Sequence, residues 1–158
     1  MQPHVLVVDD NKITTKLMRR YLESNGFTAD DAGDGVECLE KVAIRLPDAI
    51  ILDVMMPRMD GFETVRALKA DPKTAVVPVA IVTALNDSAT QSKAVESGAD
   101  DFLTKPIEEN LLIAKARMLT SLGIERRRVL RLTEIIHGLL HDGDSDVGTL
   151  LREEGFMQ

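Results

Sequence analysis

The chain has no tryptophan, one tyrosine and four phenylalanines, so its core must be built from aliphatic side chains. Cysteine occurs once, as Cys38, which excludes an internal disulfide framework and reads as a small core residue that packs rather than reacts. No run approaches the roughly 18 apolar residues of a membrane span. The opening "MQPHVLVVDD" has no basic segment ahead of a signal-length apolar stretch, so the expected compartment is the cytoplasm, with no membrane partner. Nineteen basic against twenty-six acidic residues give a net charge of −7, which leaves no uniform basic face for nucleic acid. The arginines at 126–128 are read as a solvated helix face.

What is present is ordinary for a globular protein: 158 residues, 44% hydrophobic and 28% charged, enough for one domain with some excess. Short apolar runs at 5–8, 27–32, 49–52, 79–82 and 102–104 predict five strands. Helical patterns fall between them. Ile13, Leu17 and Tyr21 or Leu22 mark the inward face of a first helix closed by "SNG", Val36, Leu39 and Val42 or Ala43 that of a second, and Phe62, Val65 and Leu68 that of a third. A fourth, with a weaker pattern, spans 89–97 and ends at Gly98; a fifth spans 108–122. Strands alternating with helices imply a parallel sheet covered on both faces.

Gly123 is read as a break, which divides the chain into a domain over 1–122 and a helical extension, or linker and tail, over 123–158. Leu122 just before it and Val129, Leu132, Ile136 and Leu139 after it recur at heptad spacing, with Glu125 spoiling one position. Such a stripe packs either on its own domain or on a partner's helix. "DGDSDVG" reads as a loop and "TLLREEGFMQ" as a short helix or a frayed tail.

The chemistry is at the strand ends. "IILDVMMPRMDG" closes a buried-looking strand on Asp53, and Asp9 and Asp10 close the first strand. Open parallel sheets bind ligands outside the carboxyl ends of their strands, where strand order reverses. If the first and third strands are neighbours, the three carboxylates converge, and without a cation they repel and raise at least one pKa. A hard divalent ion such as Mg2+ removes that cost while taking only one or two carboxylates. Lys105, just past the fifth strand, brings an ammonium to the same edge, and Thr83, ending the fourth, a hydroxyl able to donate to an oxyanion. A carboxylate nucleophile with a metal, a lysine and a hydroxyl around it is what phosphoryl transfer to an aspartate requires.

"VLVVDDN", "ILDVMMPRMDG", "IVTA" and "FLTKP", in this order and spacing, resemble the receiver domain of two-component response regulators from His4 to about Leu122. The resemblance implies a flavodoxin-like, doubly wound five-stranded parallel sheet of order 2-1-3-4-5 with five helices. It makes Asp53 the phosphoacceptor, Asp9, Asp10 and Asp53 with the backbone carbonyl of Met55 the Mg2+ ligands, and Thr83 and Lys105 the groups contacting the phosphoryl. It further implies a cis Lys105–Pro106 bond that aims the lysine into the site, and a Phe102 that turns inward when Thr83 moves. The phosphoryl donor would be a phosphohistidine on a sensor histidine kinase or phosphotransfer protein, and the domain would catalyse only its own phosphorylation and dephosphorylation. Switching is expected to promote a homodimer through the fourth helix, fifth strand, fifth helix and C-terminal helix. Met55 and Leu85 flank the path of a hydrolytic water that neither can orient by hydrogen bonding, so a long-lived phosphoaspartate is expected.

Other readings fit less well. A haloacid-dehalogenase-like phosphatase also uses an aspartate, Mg2+, Thr or Ser and Lys, but wants two aspartates separated by one residue after its first strand, where this chain has "VVDDNK". A dinucleotide-binding domain needs a glycine-rich turn there, and "DDNK" has none. A receiver that no longer takes phosphate would not need the intact set. The segment "PIEENLLIAKARMLTSL" is similar to receivers that precede diguanylate cyclase domains, which leaves open a receiver fragment of a longer regulator. His4 is read as fronting the first strand, Asp60–Gly61 as turn chemistry, and His137 and His141 as sharing a helix face without the acidic motif of a metalloprotease.

Overall fold

The computed structural model describes residues 1–84, 87–142 and 147–156. Strands β1 (His4–Val8), β2 (Thr28–Ala32), β3 (Ala49–Asp53), β4 (Val79–Thr83) and β5 (Asp101–Thr104) alternate with helices α1 (Lys12–Glu23), α2 (Gly35–Ile44), α3 (Gly61–Ala70), α4 (Ser88–Ser97) and α5 (Glu109–Asp142), and α6 (Val147–Glu153) follows. All neighbouring strands pair in parallel, in the order β2-β1-β3-β4-β5. The direction in which successive strands are added reverses between β1 and β3, the place where open α/β sheets bind ligands at their carboxyl edge.

Alternation along each strand divides the core. Leu6, Val8, Ile50, Leu52 and Ile81 face one side with Cys38 and Val42 of α2, Val65 and Leu68 of α3 and Ala94 of α4. Val5, Val7, Ile51, Val82 and Leu103 face the other with Met18 and Leu22 of α1 and Leu112, Ile113 and Ala116 of α5. Because β3 and β4 are buried along their whole lengths, their sequences are continuous apolar runs rather than alternating ones. Burial pushes the Cys38 thiol up to about 12, so it stays protonated and packs as a small hydrophobe.

The first helix presents a different face from the one expected. Thr15, Met18 and Leu22 are buried, whereas Ile13 is 80% and Leu17 39% exposed. Asn11 sets this phase by accepting from the amides of Ile13 and Thr14 as the N-cap. Thr15 enters the core at little cost because its hydroxyl donates to the Lys12 carbonyl. The fourth helix ends as expected: Gly98, at φ 94°, takes the left-handed cap.

Gly123 does not end the fifth helix; α5 continues through it to Asp142. A Cβ at Gly123 would lie 2.0 Å from the Asp48 carbonyl oxygen and 2.9 Å from Pro78 Cδ. Glycine is thus required by close approach of the helix to the chain entering β3 and β4, not by a turn. The chain divides into two compact units, Met1–Ile124 and a second starting at Glu125. Within the second, α6 forms where a short helix or frayed tail was expected, and Arg131 pairs with Glu154 while the Arg128 guanidinium lies 5.4 Å from the Phe156 ring centre. Of the expected loop "DGDSDVG", Asp142 belongs to α5 and Val147 and Gly148 to α6, and residues 143–146 lie outside the described residues.

If Gly123 serves close approach, Gly123→Ala will destabilise the fold: overpacking costs about 1–3 kcal/mol, against about 1 kcal/mol gained in helix propensity. A thermal melt checks this; a higher Tm for the alanine variant would mean that the glycine only weakens the helix.

Candidate functional site

The register Val8↔Leu52 sets the ends of β1 and β3 side by side, so Asp9 and Asp53 leave the sheet as neighbours. Asp9 is held by its own chain: its amide donates to the Ala32 carbonyl at 3.1 Å, and its carboxylate accepts from the Asn11 amide at 2.9 Å. One carboxylate oxygen from each of Asp9, Asp10 and Asp53 lies within 4.8 Å of the others, with Asp9 and Asp53 buried and Asp10 exposed. This is a hard oxygen donor set, open on one side, and it fits a divalent cation that keeps part of its shell for water or a ligand oxygen.

Lys105 enters from the end of β5. Its Nζ stands 3.2 Å from Asp9 Oδ2 and 3.3 Å from Asp53 Oδ1, and its backbone amide donates to the Thr83 carbonyl at 2.9 Å. The Lys105–Pro106 bond is cis. Thr83, the last residue of β4, is buried at 6% exposure beside Val82, the register partner of Asp53. Burial, and then the Asp9 charge, raise the Asp53 carboxyl above the usual carboxylate range despite the opposing Lys105 charge. Burial works against charge on Lys105, but the Asp53 and Asp9 carboxylates outweigh it and hold its pKa above the usual value. The site therefore carries unrelieved negative charge with its one lysine firmly protonated.

Met55 is 77% exposed on the loop after β3, and Leu85 lies outside the described residues. Phe102 is half-buried on β5, paired in register with Ile81, two positions before the residue opposite Thr83. The Lys115 ammonium sits 5.5 Å from its ring centre, 2.7 Å from its carbonyl oxygen and 2.9 Å from Asp101 Oδ1. Asp60 caps α3 by accepting from the Glu63 amide at 2.8 Å, and the Gly61 amide donates to the Val54 carbonyl at 2.9 Å, so this pair is turn and cap as read from sequence. His137 and His141 stack edge to face, ring centres 4.5 Å apart. His4 donates its backbone amide to Asp48 Oδ2 at 2.7 Å. Among the contacts not foreseen are Lys115 on Phe102 and an ion pair between Arg58 and Asp34. Sequence spacing carries a signal for neither, since each joins different secondary elements.

Fold and edge together define a flavodoxin-like doubly wound domain. A family model described as the response regulator receiver domain matches residues 5–117, and the chain belongs to that family. It is 45% identical over 120 residues to the response regulator PleD of Caulobacter vibrioides, covering 76% of this chain and 26% of that protein. It is 41% identical over 119 residues to the response regulator MprA of Mycobacterium ulcerans, covering 75% and 50%. The chain thus spans between a quarter and a half of the length of these curated relatives. Among solved structures it is similar to the chemotaxis response regulator CheY4 of Vibrio cholerae, with TM-score 0.72, 28% identity and coverage of 75% and 99%. It is also similar to the receiver domain of a signal transduction histidine kinase from Syntrophus aciditrophicus, with TM-score 0.71, 34% identity and coverage of 75% and 90%. No helix among the described residues is long and apolar enough to cross a membrane.

An acid whose folded-state pKa is raised costs stability when ionised, and the cost disappears as pH falls through that pKa. Asp53→Asn, which mimics the neutral acid, should therefore raise Tm in metal-free neutral buffer by about 2–4 °C per kcal/mol relieved. The gain should vanish in acid, and Mg2+ should raise the Tm of the parent more than that of the variant. An unchanged or lower Tm for Asp53→Asn at neutral pH would show that repulsion does not govern the site.

Proposed function

We propose that this domain is a phosphorylation-controlled signalling switch in which Asp53 receives a phosphoryl group from a phosphohistidine on a sensor kinase or phosphotransfer protein. The observation that carries the reading is the convergence of Asp9, Asp10 and Asp53 with the Lys105 ammonium at one edge of the sheet. An Asp53 oxygen attacks phosphorus in line, the P–N bond breaks, and its electron pair leaves with the imidazole. Asp9, Asp10 and Asp53, with the Met55 carbonyl, would hold Mg2+, which supplies charge neutralisation for the phosphoryl oxygens. Lys105 binds one of those oxygens and Thr83 donates its hydroxyl to another. The domain acts on itself and has no separate substrate to turn over.

The output follows from charge. A doubly negative group on Asp53 draws Thr83 and Lys105 toward it, and Phe102 moves into the space that Thr83 leaves. This alters the surface of α4, β5 and α5, through which two copies associate. On α5, Val129 and Ile136 are 62% and 47% exposed, while Leu132 and Leu139 are half-buried. The greater length of PleD and MprA supports a second setting, in which the domain is the receiver of a longer regulator such as a diguanylate cyclase and association brings output domains together.

Incubation with a small acyl phosphate and Mg2+ should add one phosphoryl group, seen by intact-mass spectrometry. Asp53→Asn should abolish it and Asp10→Asn reduce it sharply; stoichiometric labelling of Asp53→Asn would sink the assignment.

Association is read by sedimentation with and without a phosphate mimic. A shift from monomer to dimer at tens of micromolar supports the switch, and a monomer in both states removes the dimer.

A further inference from the structure

The loop from β3 to α3 is closed at its ends: the Val54 amide donates to the Val82 carbonyl at 3.2 Å, and the Gly61 amide to the Val54 carbonyl at 2.9 Å. Its middle reaches elsewhere. Arg58 has φ 63°, the one positive φ among described residues other than glycine, and the Met59 amide donates across it to the Pro57 carbonyl at 2.7 Å. That is a γ-turn with a bulky residue at its centre, a rare and strained conformation that glycine would adopt freely. Such strain persists only where the surroundings over-determine it.

The arginine side chain supplies the determination. Arg58 Nε lies 2.6 Å from Asp34 Oδ2, and Asp34 Oδ1 accepts from the Glu37 amide at 2.9 Å as the N-cap of α2. Both oxygens of this carboxylate, whose side chain is only 10% exposed, are therefore engaged, one by its own helix and one by the loop. The contact continues next door. A Cβ at Gly35 would lie 2.1 Å from Thr64 Oγ1 of α3 and 2.9 Å from Met59 Cγ, so Met59, the last residue of the turn, sits directly on the start of α2. The loop is fixed to α2 by a charge pair and by a contact that only glycine allows.

We propose that Arg58 and Asp34 are positioning residues for the metal-binding edge: their pair sets the course of the chain between Asp53 and α3, and with it the main chain of Met55. This rests on the reading of Asp53 and Met55 as metal ligands. The arginine touches neither metal nor phosphate, and its role is to hold a backbone that has no ladder partner in the sheet. Because the arginine side chain is 61% exposed, the pair contributes little to stability, so the consequence is expected in affinity, not in folding.

The full chain is titrated with Mn2+, a spectroscopic stand-in for Mg2+, with free ion read by electron paramagnetic resonance. Asp34→Asn keeps an oxygen to cap α2 but loses the charge, and Arg58→Gly keeps the turn but loses the pair. Each should weaken Mn2+ binding roughly tenfold, the scale seen when partners that orient metal ligands are removed. Arg58→Lys should recover part of the loss, and the double variant should be no weaker than either single one. Binding within twofold of the parent in both Asp34→Asn and Arg58→Gly, with circular dichroism showing the fold intact, overturns the proposal. Loss in Arg58→Ala but not in Arg58→Gly overturns it too, since then only the turn matters. A parent whose Mn2+ binding is absent, or survives Asp53→Asn, refutes the metal reading itself and this inference with it.

Discussion

Three carboxylates held close together are the constraint around which this domain is arranged. Ionised groups at that separation oppose folding, and burial together with the Asp9 charge raises the pKa of Asp53. The repulsion is accepted only because the positions are dictated by the sheet: parallel pairing of β1 with β3 brings Asp9 and Asp53 together, and the Asn11 amide fixes the Asp9 carboxylate. A sheet buried on both faces is stiff, so the repulsion is not relieved by movement of the strands. Lys105 offsets part of it through contacts with both acids.

What was legible in the sequence follows the strength of local signals. The buried strands β1, β3 and β4 were plain because their apolar runs admit few other readings, and the acids at their ends were plain because they interrupt those runs. The inward face of α1 was misjudged because Ile13 and Leu17 are apolar and Thr15 is polar; the phase is decided by the Asn11 cap, which outranks hydrophobicity at two positions. Gly123 was misread for a related reason. A glycine in a helical pattern signals a break or a close approach equally, and only the position of the Asp48 carbonyl chooses between them. The Arg58–Asp34 and Lys115–Phe102 contacts join elements distant in the chain, and no periodicity reports on such pairs.

The edge strand β2 shows how charge is handled where it serves structure. Its sequence, Thr-Ala-Asp-Asp-Ala, is poor in strand formers, yet it pairs along five residues with β1. Alternation sends Asp30 and Asp31 to opposite faces, and each meets a cation on the helix covering that face. Lys41 of α2 stands 3.3 Å from Asp30, and Arg19 of α1 stands 2.6 Å from Asp31. Acids on an edge also discourage pairing with another chain.

The two acidic sets differ in how their charge is balanced. Asp30 and Asp31 each have a cation from a neighbouring helix, so their charge is locally balanced by the fold. Asp9 and Asp53 share a single ammonium, and Asp10 adds a third carboxylate within reach. A mobile cation gains more at the second set than at the first, because there it relieves repulsion that the folded chain leaves in place. That imbalance between three carboxylates and one ammonium is the feature on which the proposed binding of a cation and a phosphoryl group rests.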